Sequence, residues 1–145
     1  MKFGDPASNY VNHAPLGFKS IFLKLNSNAA TVDEQEHTLE VAPFTLDGRT
    51  MVPIRFIGEA LGAKVEWYAQ ERRVILQKEG SKVELVIDQK DALVNGAATE
   101  LDSPAVIRDG ITLVPVRFVS ESLKMKVFFE DGEITITDAK EQKGK

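Results

Sequence analysis

Two arginine–glutamate pairs, Arg55 with Glu59 and Arg117 with Glu121, are the residues of this sequence best suited to hold a ligand. A guanidinium offers a planar fork of donors that fits a carboxylate or sugar hydroxyls, and a glutamate four residues on adds acceptors to the same helix face. The spacing also serves two plainer purposes. One is an exposed i,i+4 ion pair worth a few tenths of a kcal/mol; the other is an arginine holding a carbonyl of the neighbouring loop, which ties helix to sheet. Trp67 and Tyr68 offer aromatic faces of the kind that carry sugars. Alternation sets Val65 and Trp67 on one side of a strand and Tyr68 on the other, so Trp67 is expected in the core and Tyr68 at the surface. His37 stands near Asp33, Glu34 and Glu36, but one histidine among flexible carboxylates fits a solvated turn better than a metal site. Serines and threonines are plentiful, yet no Gly-x-Ser-x-Gly elbow and no Ser–His–Asp set accompanies them. The sequence predicts no catalytic residues and no metal ligands.

The elements that position these residues are written twice. Asp47-Gly48-Arg49-Thr50-Met51-Val52-Pro53-Ile54-Arg55-Phe56 returns 62 residues later as Asp109-Gly110-Ile111-Thr112-Leu113-Val114-Pro115-Val116-Arg117-Phe118. Carried outward without a gap, the offset lays residues 21–67 on 83–129 with 15 of 47 positions identical, which marks an internal duplication. Within each copy, short alternating runs read as strands. Asn95-Gly96 between two apolar runs predicts a type I′ hairpin, and Asp131-Gly132 another. Val52-Pro53 and Val114-Pro115 each announce a short helix, since proline suits its first turn. From Pro53 to Leu61 the residues Phe56, Ile57, Ala60 and Leu61 share one face, with Arg55 and Glu59 opposite. Gly62 supplies a left-handed residue after the first helix, where the second has Lys124. Residues 64–67 with 73–76, and 126–129 with Glu133–Thr137, complete two more hairpins. The pattern predicts an α+β fold of two tandem strand–helix–strand units, each of short antiparallel strands curled around one helix, packed as a pseudo-duplicate. The expected boundaries are a flexible leader or added segment at 1–20, a first repeat at 21–80, a second at 81–138 and a charged tail at 139–145.

Composition narrows the function classes. The chain has 145 residues, a net charge of −4 and no cysteine. Interspersed acids and bases leave no basic stripe for phosphates, so nucleic-acid binding is not expected. No apolar run approaches the ~18 residues that cross a bilayer as a helix. Residues 1–20 lack the apolar stretch of a signal peptide.

The run Asp47-Gly48-Arg49-Thr50-Met51-Val52-Pro53-Ile54-Arg55-Phe56-Ile57-Gly58-Glu59-Ala60-Leu61-Gly62-Ala63-Lys64-Val65-Glu66-Trp67, preceded by Val41-Ala42-Pro43-Phe44, closely resembles the copper amine oxidase N-terminal domain-like family, also called the stalk domain. The second copy at 114–123 resembles it as well, so the likeness covers most of 21–138. What the resemblance implies is a non-catalytic module of secreted and surface proteins of Gram-positive bacteria. Copper and amine oxidation belong to a separate catalytic domain. Neither has a foothold here, since the quinone precursor sequence is missing and His13 and His37 fall short of three copper-binding histidines. No cofactor is expected. Ile111, Lys124 and Phe129 depart from the pattern and put any function specific to the second copy in doubt.

Together these readings predict an extracellular, non-catalytic interaction or spacer module at a Gram-positive cell surface, binding cell-wall polysaccharide or a surface protein. Arg55, Glu59, Tyr68, Arg117 and Glu121 are its candidate ligand-binding residues. Residues 21–25 and Glu133–Thr137, taken as edge strands, are the expected places for self-association. A hydrolase or metal-dependent protein is the alternative.

Overall fold

The computed structural model describes residues 19–138; the expected leader through residue 18 and the tail at 139–145 lie outside them. Ser20, assigned to the leader from sequence, begins the first strand. The chain order is β1 (Ser20–Lys24), β2 (Ala29–Val32), β3 (Gln35–Thr38), β4 (Phe44–Leu46), β5 (Arg49–Pro53), α1 (Ile54–Ala60), β6 (Lys64–Tyr68) and β7 (Arg73–Lys78). The second copy follows as β8 (Ser81–Val86), β9 (Asp91–Val94), β10 (Ala97–Glu100), β11 (Val106–Arg108), β12 (Ile111–Pro115), α2 (Val116–Ser122), β13 (Lys126–Glu130) and β14 (Glu133–Thr137).

These elements correct the predicted α+β architecture. Among the described residues, fourteen strands in three antiparallel sheets and two seven-residue helices make a mostly β structure, and neither repeat closes into a strand–helix–strand unit of its own. One five-stranded sheet runs β13-β14-β1-β2-β3 and a second runs β10-β9-β8-β7-β6. Each therefore joins the first three strands of one repeat to the last two of the other. The physical reason is that a two-turn helix has too little apolar face to cover a repeat's strands, so each repeat completes its core with the other's. A four-stranded sheet, β11-β12-β5-β4, lies at the pseudo-twofold, where Val52 faces Val114. Both are fully buried.

Local chemistry fixes the turns. Asn95-Gly96 has φ of 54° and 83°, and Asp131-Gly132 has 51° and 81°, the left-handed pair that a type I′ hairpin needs. Pro53 and Pro115 stand one residue earlier than predicted. They end β5 and β12 in extended conformation and cap the helices without a side-chain hydrogen bond. The buried helix residues are Ile54, Ile57 and Gly58, with Leu61 just beyond. Gly62 (φ 87°) and Lys124 (φ 67°) occupy equivalent left-handed positions. At both, the next amide reaches back five residues, Ala63 N–H to the Gly58 carbonyl at 2.8 Å and Met125 N–H to that of Ser120 at 2.9 Å, a Schellman ending.

A single main core gathers apolar residues from both five-stranded sheets and both helices, including Ile21, Leu23, Ile57, Leu76, Leu85, Val119, Ile134 and Ile136. Met51 and Leu113 anchor a smaller cluster on the other face of the central sheet, where the Arg108 guanidinium lies 3.8 Å from the centre of the Phe44 ring.

The strands expected at the edges are interior. β1 lies between β14 and β2, and β1 and β14 pair along their whole length from Ser20 opposite Thr137 to Lys24 opposite Glu133. Lys19 N–H donates to Asp138 Oδ1 at 2.8 Å and the Thr137 hydroxyl donates to the Lys19 carbonyl at 2.7 Å. The described chain begins and ends at one point. Among the described residues the edges are β13 and β3, β10 and β6, and β11 and β4.

Candidate functional site

The two helices present their arginine–glutamate pairs outward, because Ile54 and Ile57 on α1, and Val116 and Val119 on α2, take the inward positions. Arg55 Nη1 donates to Glu59 Oε2 at 3.1 Å and Arg117 Nη1 to Glu121 Oε2 at 3.2 Å, with every one of these side chains more than half exposed. They are i,i+4 ion pairs; among the described residues neither arginine holds a loop carbonyl.

What separates the two pairs is their surroundings. Arg117 and Glu121 line a groove of ≈ 520 Å³ together with Arg49, Glu100, Asp102 and Phe129, floored by Thr50, Leu101, Pro115, Val116 and Phe118. Five segments build it. The Asp47-Gly48 turn delivers Arg49, the end of β10 delivers Glu100, the loop after it Asp102, α2 the ion pair and β13 the ring. Arg49 reaches Asp102 Oδ2 through Nη2 at 3.0 Å and through Nε at 3.1 Å. The Arg117 guanidinium stands 5.1 Å from the centre of the Phe129 ring, within reach of a cation–π attraction. The groove thus offers two cations, three carboxylates and an aromatic ring that is 46% exposed.

The pseudo-twofold explains why the grooves differ. α2 packs against β5 of the first repeat and α1 against β12 of the second. Arg49 of the first repeat therefore serves the helix of the second, while its counterpart Ile111 packs against the smaller apolar cluster of Met51 and Leu113. The groove beside α2 thus takes one of its two arginines from the first copy, and the second copy has an isoleucine at that position. The exposed His37 meets Phe56 edge-on, ring centres 5.8 Å apart and planes at 71°.

Tyr68 lies apart from this groove, on edge strand β6. Its hydroxyl donates to Glu66 Oε1 at 3.1 Å, and that hydrogen bond, with the carboxylate's charge behind it, raises the phenol above its ordinary value of 10.0. Trp67 corrects an expectation: it is 40% exposed rather than core. Alternation places it on the inner side as predicted, opposite the buried Val74, but β6 is an edge strand and its outer flank faces solvent. Phe129 is exposed on β13 for the same reason. Sequence reasoning therefore missed Phe129, and it missed Arg49, Glu100 and Asp102 because no local spacing links them. The one available signal was Ile111 standing where the first copy has Arg49.

No group of three His, Cys, Asp or Glu residues among those described could hold a metal ion. No described helix is long and apolar enough to cross a membrane.

Duplicated antiparallel sheets, two short helices and an open groove of mixed charge define a β-rich module. The sequence pattern of the copper amine oxidase N-terminal domain matches residues 9–76 and, in a second overlapping match, residues 31–137. The chain belongs to that family, which takes its name from a non-catalytic part of the oxidase.

Proposed function

We propose that this chain is a non-catalytic binding module of a Gram-positive cell surface and that its groove beside α2 takes a cell-wall glycan. The observation that carries this reading is the groove's furnishing, an exposed ring bordered by arginines and carboxylates. A sugar presents an apolar C–H face and a rim of hydroxyls; Phe129 suits the first, and Arg49, Arg117, Glu100 and Asp102 suit the second. The competing hydrolase reading gains nothing from the groove. Its lining contains no histidine, and arginines pair with two of its three carboxylates, Asp102 and Glu121.

The spacer reading gains less from the fold than the binding reading does. A spacer adds length when the chain enters at one end and leaves at the other. Here β1 and β14 bring both ends of the folded part together, which suits a knob carried beside a longer chain.

The test is co-sedimentation with Gram-positive cell walls, before and after secondary polymers are stripped, against a similarly acidic control protein. The reading expects saturable binding that Arg117→Ala or Arg49→Ala abolishes, while Arg55→Ala and Tyr68→Ala leave it intact. Binding no greater than the control, or binding indifferent to the groove variants, would overturn it.

A further inference from the structure

One of the exposed sheet edges is self-complementary. Strand β13 reads Lys126-Val127-Phe128-Phe129-Glu130, with no proline or glycine, and its two phenylalanines are 42% and 46% exposed. Among the described residues it ends a five-stranded sheet and pairs with β14 alone. An edge of this composition is a template for another strand.

The hairpin fixes which backbone groups are free. A two-residue type I′ turn makes its flanking residues, Glu130 and Glu133, a hydrogen-bonded pair. Hydrogen-bonded and non-hydrogen-bonded pairs alternate along the ladder, so Phe128 and Lys126 also point their backbone groups at β14. Val127 and Phe129 point theirs at the open edge. Set a second copy antiparallel to this edge, centred on Phe128. Val127 then faces Phe129 of the second copy as a hydrogen-bonded pair, and Phe129 faces its Val127. Phe128 meets Phe128 across the axis. Lys126 falls opposite Glu130 of the second copy, and Glu130 opposite its Lys126, so charge, ring and hydrogen-bond parity all agree in one register.

The equivalent edge of the other sheet is a control inside the same molecule. Strand β6 carries Glu66 where β13 carries Phe128, so the same self-pairing would set Glu66 against itself. Glu66 is also engaged by Lys64 at 3.3 Å and by the Tyr68 hydroxyl. The remaining edges of the five-stranded sheets, β3 and β10, have no large apolar residue.

We propose that this chain forms a twofold dimer through β13, joining two five-stranded sheets into one of ten. The dimer edge shares Phe129 with the proposed glycan groove, but the dimer is argued from the strand alone and is measured without any ligand.

Sedimentation velocity over a concentration series tests it, on the whole chain and with circular dichroism to confirm that each variant folds. Lys126 and Glu130 are exposed, so reversing either charge leaves the fold intact. Lys126→Glu sets two acids against each other twice, and Glu130→Lys does the same with two bases. Each single reversal weakens the dimer roughly 10- to 100-fold, the swing expected from two cross-strand pairs turned from attraction to repulsion. An equimolar mixture of the two variants recovers a dimer, as does the doubly reversed K126E/E130K chain. A wild-type chain that stays monomeric throughout, a dimer indifferent to the single reversals, or an open polymer would each overturn the proposal.

Discussion

Gly58 and Ser120 are the same position in the two copies, and the structure assigns their alanine variants opposite signs. A Cβ on Gly58 would lie 2.8 Å from both Leu76 Cδ2 and Val65 Cγ2. That is about 1 Å inside ordinary carbon–carbon contact. Leu76 is fully buried in the main core and Val65 packs against that core, so a shift of either side chain disturbs close-packed neighbours. Overpacking of this kind costs about 1–3 kcal/mol, while alanine in place of a helical glycine returns about 1 kcal/mol. Gly58→Ala should therefore destabilise by up to about 2 kcal/mol, with about 1 kcal/mol at the middle of the range. Ser120 is fully buried and its hydroxyl has no hydrogen-bond partner among the described residues. Removing an unsatisfied buried hydroxyl relieves a desolvation cost of about 1–3 kcal/mol, so Ser120→Ala should stabilise by roughly 1 kcal/mol. Urea titration at fixed protein concentration reads both changes, and thermal melts should move in opposite directions by about 3–5 °C. If Gly58→Ala stabilises, as helix propensity alone would have it, the close approach of α1 to β6 and β7 is wrong. If Ser120→Ala destabilises, its hydroxyl is satisfied after all.

Lys124 stands in the left-handed conformation that Gly62 fills in the first copy, so Lys124→Gly should stabilise by about 0.5–1 kcal/mol once the glycine's added unfolded-state freedom is subtracted, measured by the same urea titration. Arg49→Ala removes an ion pair whose partners are 46% and 71% exposed, so stability should change by less than about 0.5 kcal/mol while wall binding is lost. Tyr68 holds its proton to higher pH than a free phenol. In a Tyr10→Phe background, an ultraviolet titration should show ionisation beginning late, and Glu66→Gln should bring it earlier. The sign follows from the raised folded value. The stabilising contribution is complete below pH 10 and is lost as pH rises through the folded-state value.

The legible parts of this fold were those whose causes are local. Asn95-Gly96 and Asp131-Gly132 declare their turns because few residue pairs accept two consecutive positive φ angles. The helices declare themselves through their prolines and apolar spacing. The sheets were not legible, because β1 finds β14 rather than the strands of its own repeat, and no short-range pattern encodes a partner more than a hundred residues away. The same limit hid the site. Arg49 and Asp102 are 53 residues apart, and only the crossed packing of α2 on β5 brings them to one groove. Trp67 and Phe129 show a finer limit. Alternation gave the correct side of the strand, but burial also depends on whether the strand has neighbours on both flanks.

The pairing of β1 with β14 has a mechanical consequence. Tension applied through a longer polypeptide would reach this domain at Lys19 and Asp138, which meet at the same end of an antiparallel ladder. The load then falls on one rung at a time, Ser20 with Thr137 first and Lys24 with Glu133 last, instead of being shared by all in parallel. Pulled from its ends, the domain should peel like a zipper at low force and release its whole folded length as slack. Under load from both ends it would act as a shock absorber, taking up force by unfolding.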